Sequence, residues 1–208
     1  MIDCQREDGL WRITLNRPDK ANSLTAGMLS RMVDIVMEAT VDPHIKALVI
    51  TGAGDKVFSA GADLDEARAG LATSQLWEQV SGGIAALPCL TIAALNGTLA
   101  GGAFGMALAC DLRLAVPNAR FFYPVAKLGF LPQPSDPGRL VALMGPARAK
   151  LLLLGGQKFS ADEAYAFGLI DRITAPEHLL EQAAEIAGDA LAGKPEVLRR
   201  IKEMCEGR

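Results

Sequence analysis

Two glycine-rich bends are the places where this chain's residue types and spacing could do chemistry. One is Asn96-Gly97-Thr98-Leu99-Ala100-Gly101-Gly102-Ala103-Phe104-Gly105, which follows the apolar, strand-like Leu90–Leu95 and leads into the helix-like Met106–Ala109. The first N–H groups of a helix have no internal partner and lie at the positive end of its dipole. Such a bend holds an anion, or an oxygen that is becoming one. Three readings are open. The bend is a tight connection in which small residues permit close packing. Or it is a dinucleotide fingerprint, whose G-x-G-x-x-G spacing fails here: counted from Gly97, position 99 is leucine, and from Gly101, position 103 is alanine. No acidic ribose-binding residue ends a second strand at the required distance either. Or it is one half of an oxyanion hole, which needs a second N–H from elsewhere. The second bend, Phe58-Ser59-Ala60-Gly61-Ala62-Asp63-Leu64, meets that need: it also joins a strand-like run (Lys46–Thr51) to a helix-like segment.

Other chemistries are disfavoured. The four cysteines (Cys4, Cys89, Cys110, Cys205) have no C-x-x-C spacing, so neither a zinc site nor a disulfide framework is expected. Cys89 and Cys110 lie among apolar residues and read as small core side chains. His44 and His178 have no serine or cysteine partner in a recognisable pattern and read as solvated. No metal and no separate cofactor is expected. A net charge of −3 with no basic block argues against nucleic acid as the main partner. The apolar run Leu140–Leu154 is broken by Gly145, Pro146, Arg148 and Lys150, so no membrane span is expected. The charged start Met1–Asp8 does not read as a signal peptide, and a cytoplasmic location is the default.

The elements that must position these bends can be read from periodicity. With 208 residues, half of them apolar, the chain can fill the core of one domain. Leu10–Asn16 alternates as a half-buried strand; Lys46–Thr51 and Leu90–Leu95 read as buried strands, and Leu112–Val116 as a further one. Asn22–Ala39 carries Leu24, Met28, Met32, Ile35, Val36 and Ala39 at helical spacing. Gln75–Ala86 reads as a helix ended by Pro88. Phe121–Gly138 reads as a structured loop of the kind that lines sites. Arg139–Leu154 reads as one helix bent near Gly145-Pro146. Ser160–Glu163 has the form of a capping box for a short helix through Phe167. Pro176–Ala192 and Pro195–Glu206 read as terminal helices with proline at their starts. The strand–turn–helix pattern recurs without a literal sequence repeat.

Taken together, the sequence resembles the crotonase superfamily, also called the enoyl-CoA hydratase/isomerase family. The matching motifs are Asn16-Arg17-Pro18-Asp19-Lys20-Ala21-Asn22-Ser23-Leu24, Leu48–Gly52, Phe58–Leu64, the Asn96–Gly105 bend, Ala109-Cys110-Asp111-Leu112-Arg113, Leu128-Gly129 and Phe167-Gly168-Leu169-Ile170-Asp171. They cover residues 8 to 190, in order. The resemblance implies an α/β fold: a spiral of repeated ββα units over residues 1–175, then a C-terminal helical segment over 176–208 that is shorter than is typical. It implies an acyl-CoA thioester ligand, with coenzyme A as part of the substrate, and a homotrimer or a dimer of trimers. The short C-terminal segment leads us to expect an acyl pocket that is open or is closed by a neighbouring subunit.

The resemblance also assigns site residues. Ala62 and Gly102 would donate the two oxyanion-hole N–H groups. Lys20, Ala21 and Asn22 match the stretch that contacts CoA, with an exposed charge as the other reading of Lys20. Ala60, Gly61, Ala62 and Asp63 match the stretch beside pantetheine and adenine. Leu64, Gly101 and Tyr123 complete the expected substrate contacts, and Trp77, Phe122 and Phe130 suggest an apolar pocket. Where some relatives place a CoA-pairing lysine, this chain has Asp65.

The acid/base groups depart from the pattern. The positions of the two glutamates of the family's hydratases hold Gly105 and Val125, and the aspartate position of some relatives with dienoyl or aromatic substrates holds Gln133. Asp136 is the candidate replacement, with a turn-capping role as its other reading. Tyr123 would donate a proton or serve as an aromatic wall; Glu78 would face the acyl pocket or lie on a solvated helix face; Lys127 reads as solvated. These substitutions argue for double-bond isomerisation or another lyase-type reaction over two-glutamate hydration. A non-catalytic acyl-CoA-binding or assembly subunit is the alternative. A serine protease on a related spiral fold is disfavoured, because Ala103 and Phe104 occupy the nucleophile position.

Overall fold

A computed structural model describes residues 1–205 and Gly207. The chain opens with an antiparallel hairpin, β1 (Ile2–Glu7) and β2 (Leu10–Leu15), then helix α1 (Ala26–Val41), β3 (Ala47–Gly52), β4 (Val57–Ser59), α2 (Leu64–Arg68) and α3 (Leu76–Ala86). It continues with β5 (Leu90–Leu95), β6 (Thr98–Ala100), α4 (Phe104–Ala109), β7 (Leu112–Ala115), β8 (Arg120–Phe122), α5 (Val125–Leu128) and α6 (Asp136–Leu153). Then come β9 (Phe159–Ser160), α7 (Ala161–Phe167), β10 (Arg172–Ile173), α8 (Leu179–Ile186), α9 (Gly188–Ala192) and α10 (Pro195–Cys205).

The strand pairing makes the repeat that the sequence only hinted at. One sheet runs β1-β2-β3-β5-β7-β10 and the other β4-β6-β8-β9. The pairs β3/β4, β5/β6 and β7/β8 each give one strand to each sheet, and successive pairs stack in parallel. Each turn of the spiral thus ends at the same edge, where β4 and β6 deliver the two glycine bends side by side. β3 is buried along its whole length, as expected of a parallel strand covered on both faces, while β2 alternates. α1 places Met28, Leu29, Met32, Ile35, Val36 and Ala39 on the core and packs on α3, which in turn packs on α4.

Several boundaries differ from expectation. α1 starts at Ala26, because Thr25 caps it by accepting the Met28 N–H at 3.2 Å. Asn22 lies outside the helix, in the left-handed region (φ 51°). Its side chain is a clamp: Nδ2 donates to Ala53 O (2.9 Å) and Val57 O (2.8 Å), and Oδ1 accepts from Arg17 N (3.0 Å). Asn22→Ala would leave Arg17 N–H and Ala53 O without this partner and Val57 O with only a long bond from Asn96 Nδ2 (3.4 Å), so we expect a loss of about 1–3 kcal/mol in denaturant unfolding. The expected loop Phe121–Gly138 contains most of β8, all of α5 and the start of α6, which begins at Asp136, with Pro137 in the first turn, where its missing N–H costs nothing. α6 breaks at Gly145 (φ 79°), next to Pro146, where the bend was expected. The Ser160 capping box is present. The expected helix Pro176–Ala192 resolves into a 3-10 turn (Pro176–His178), α8 and α9. α10 ends at Cys205, and Glu206 lies outside the described residues. Among the described residues, no helix is long and apolar enough to cross a membrane.

Candidate active site

The two glycine bends are pressed together, backbone on backbone. Leu24 N donates to Gly61 O and Asp63 N donates to Leu24 O, both at 2.8 Å. In this parallel bridge the residues on either side of Ala62 carry the hydrogen bonds, so the Ala62 N–H points the other way. Gly102 is the second residue of the 3-10 turn Gly101–Ala103 that opens α4, where N–H groups lack helical partners. Among the described residues, neither N–H is spent on a bond between turns, loops or side chains. Gly61 makes the approach possible. Its φ is +90°, and a Cβ there would stand 3.0 Å from Ala100 O and 3.2 Å from Gly102 N.

Both bends open on one cleft of about 160 Å³, lined on this side by Ala60, Ala62, Gly101 and Gly102. Its other walls are apolar and aromatic, including Trp77, Phe122, Tyr123, Val125 and Phe130. Trp77 is fixed by its indole N–H, which donates to Leu71 O at 2.8 Å. Its ring lies 3.3 Å from where a Gly102 side chain would begin. In an apolar cleft, backbone N–H groups stabilise negative charge on an oxygen they reach more than they would in water.

The ionisable part of the site is a buried pair. Tyr123 Oη donates to Asp136 Oδ2 at 2.9 Å and accepts the Gln133 N–H at 3.3 Å, while its ring stacks on Phe104 at 5.2 Å. Tyr123 is 2% exposed and lines the cleft; Asp136, behind it, is 0% exposed. Burial pushes the Asp136 carboxyl up to about 7; the Tyr123 hydrogen bond and the Arg139 charge pull against that, and the Glu78 charge adds to it. Burial, and then the Asp136 charge, push the Tyr123 hydroxyl well above its ordinary range. Near neutral pH, therefore, Asp136 is the member of the pair that changes charge.

Asp136 reaches this place because of Gly105. A Cβ at Gly105 would lie 3.2 Å from Asp136 Oδ1, so the carboxyl of α6 occupies space that a side chain on α4 would need. The chain thus brings a carboxyl close to the position expected to lack one, from a different element. The turn-capping reading of Asp136 is set aside, since its carboxyl faces the interior. The solvated-face reading of Glu78 is set aside too: it is half-buried and accepts from Ser135 N (3.0 Å) and Ser135 Oγ (2.6 Å).

The other expected contacts divide into two groups. Ala60, Leu64, Gly101 and Tyr123 line the cleft, with Gly61 beneath it. Lys20, Ala21, Asn22 and Asp63 do not. Lys20 is exposed at the end of a 3-10 turn, the Asn22 side chain is the clamp described above, and Asp63 caps α2 while pairing with Arg17 at 2.7 Å. Asp65 and Lys127 are exposed. Sequence reasoning missed Ser81 and Arg139, which stand close to Asp136. A glycine inside the helical run Phe104–Ala109 was the available signal, because it marks a close approach by something else.

Stacked ββα turns whose edge presents two amides to an apolar cleft define the spiral class of α/β protein typified by crotonase. The chain belongs to the enoyl-CoA hydratase/isomerase family, whose profile matches residues 5–207. It is similar to the crotonyl-CoA hydratase of Syntrophomonas wolfei, 37% identical over 196 residues that span 92% of this chain and 75% of that protein. It is also similar to the carnitinyl-CoA dehydratase of Salmonella arizonae, 36% identical over 205 residues that span 96% and 77%. In three dimensions it resembles the crystal structure of an enoyl-CoA hydratase from Bacillus anthracis, with a TM-score of 0.92 and 33% identity over 99% of this chain and 82% of that one.

Proposed function

We propose that this enzyme forms the enolate of an acyl-CoA thioester and moves a proton on its acyl chain, with isomerisation favoured over hydration. The thioester oxygen sits between Ala62 N–H and Gly102 N–H. As the α C–H bond breaks, its electron pair passes into the enolate and the charge collects on that oxygen. The proton goes to Tyr123 Oη while the proton of Tyr123 goes to ionised Asp136. Tyr123 ends unchanged and Asp136 ends neutral; the reverse transfer reprotonates the substrate at another carbon. The cleft supports a single proton carrier, because Gly105 and Val125 hold no carboxyl. The curated relatives named above are a crotonyl-CoA hydratase and a carnitinyl-CoA dehydratase, which supports an acyl-CoA thioester as the substrate class.

The observation that carries this reading is Tyr123, which lines the same cleft as Ala62 and Gly102 and hydrogen-bonds the buried Asp136 behind it. The test is α-proton exchange of a saturated acyl-CoA in deuterium oxide, run beside conversion of a 3-enoyl-CoA to the 2-enoyl-CoA. We expect both, with kcat/KM for exchange rising with pH through about 7 as Asp136 ionises and then levelling. Exchange no faster than in buffer, with thioester binding retained, would make the protein a binding subunit instead. Rapid hydration of crotonyl-CoA that survives loss of Asp136 would overturn the single-carrier reading.

A further inference from the structure

Among the described residues, three buried side-chain polar atoms have no hydrogen-bond partner: Ser81 Oγ, Asp136 Oδ1 and Arg139 Nη1. The first two share a neighbourhood, and the third is on the same helix as Asp136, three residues along. Measured from where a Gly105 Cβ would stand, Asp136 Oδ1 lies at 3.2 Å and Ser81 Cβ at 3.5 Å. Arg139 is near enough for its charge to act on Asp136. Ser81 stands on the buried face of α3 with Trp77, Val80 and Ile84. A helical serine commonly bonds back to the carbonyl four residues earlier, but this one does not. Buried polar atoms are nearly always satisfied, and where protein does not do it, water does. Two unsatisfied oxygens this close, with an unsatisfied guanidinium nitrogen on the residue one helical turn along from Asp136, have a common explanation.

We propose that Asp136 Oδ1, Ser81 Oγ and Arg139 Nη1 hold a water molecule, which makes Ser81 and Arg139 positioning residues for the Asp136 carboxyl. Three polar partners are within the number that a buried water needs. The guanidinium beside the site favours water over a cation. The inference rests on the reading of Asp136 as the group that changes charge. Oδ2 exchanges its proton with Tyr123, on the cleft side. On the far side, a water can donate to the ionised carboxylate and reorient when the carboxyl is neutral. The carboxyl then changes charge without stranding a buried lone pair. The titratable groups facing Asp136 are Tyr123 from the segment after β8, Glu78 from α3 and Arg139 from its own helix; α4, packed against α6, brings none.

The test combines a high-resolution crystal structure of the whole chain with an infrared or carbon-13 titration of Asp136, using Asp136→Asn as the blank. We expect water density within hydrogen-bonding reach of Asp136 Oδ1 and Ser81 Oγ. Loss of a donor disfavours the ionised form, so Ser81→Ala should raise the Asp136 midpoint by about one pH unit, and Ser81→Thr should restore it. The pH profile of α-proton exchange should move with the midpoint. No density at that place in the wild type overturns the proposal, as does an unmoved midpoint in folded Ser81→Ala. If Ser81→Ala does not fold, the wild-type density and the Ser81→Thr titration decide. Neither readout needs a substrate. An inert protein that holds the water would therefore sink the proposed function and leave this inference, and an active protein without the water would do the reverse.

Discussion

Asp136→Asn should lower the rate of α-proton exchange about 10²- to 10⁴-fold, the range set by loss of a positioned acid or base, and should make the protein more stable at pH 8. The two effects have one cause. Asparagine can still accept the Tyr123 hydroxyl but cannot take its proton, so Tyr123 would have to end as an anion in a place that holds its hydroxyl well above the ordinary range. The stability effect follows from linkage. The ordinary carboxyl value is 3.8, and the folded protein raises it to about 7, so the native state holds the proton more tightly than the unfolded chain. The stability contributed by the neutral carboxyl is fully present below the unfolded value and is lost as pH rises through the folded one. At pH 8 the wild type carries a buried charge that the variant lacks, which we expect to be worth on the order of 2 kcal/mol. Thermal melts of both proteins from pH 5 to pH 8 check this: the advantage of Asp136→Asn should grow with pH. A constant difference, or a variant as active as the wild type, would remove Asp136 from the proton path.

Much of this was legible in the sequence, because the features that set the spiral are local. Ala47–Ile50 and Ile92–Leu95 are apolar on both faces, the pattern of a covered parallel strand. The bends after β4 and β6 carry glycine where two backbones must meet, which marked the two bends; the choice of Ala62 and Gly102 within them came from the family resemblance. The acid was harder to read. Nothing between Phe121 and Gly138 says that the chain turns inward, because Tyr123, Gln133 and Asp136 come together only through Gly105 on another element and by packing under α3. Pattern reading also assigned Glu78 to solvent, since its two partners on Ser135 lie 57 residues away in sequence. The Asn22 clamp was hidden for the same reason: helical spacing counted Asn22 into α1, whereas its amide joins the Arg17 backbone to both ends of the β3–β4 connection.

Gly61→Ala should cut kcat/KM about 10²- to 10³-fold, the size of effect seen when an oxyanion donor is lost, and should do so without touching a side chain of the site. Two physical costs act together. The left-handed φ of +90° disfavours any residue with a Cβ. The new Cβ would also meet Ala100 O at 3.0 Å and both Gly101 Cα and Gly102 N at 3.2 Å. All three are backbone atoms and cannot swing aside, so the 3-10 turn must move away from Ala62 and the two amides no longer meet on one oxygen. Because that oxygen carries most charge in the transition state, kcat should fall by more than thioester binding weakens. Gly156→Ala separates the two costs. Gly156 has φ +60° with nothing within 4 Å of its Cβ position, so its variant bears the backbone strain without the wedge. It should lose stability and keep its activity. If Gly61→Ala behaves like Gly156→Ala, with a lower melting temperature and undiminished turnover, then contact between the bends is architectural and the amides of Ala62 and Gly102 do not act together on the thioester.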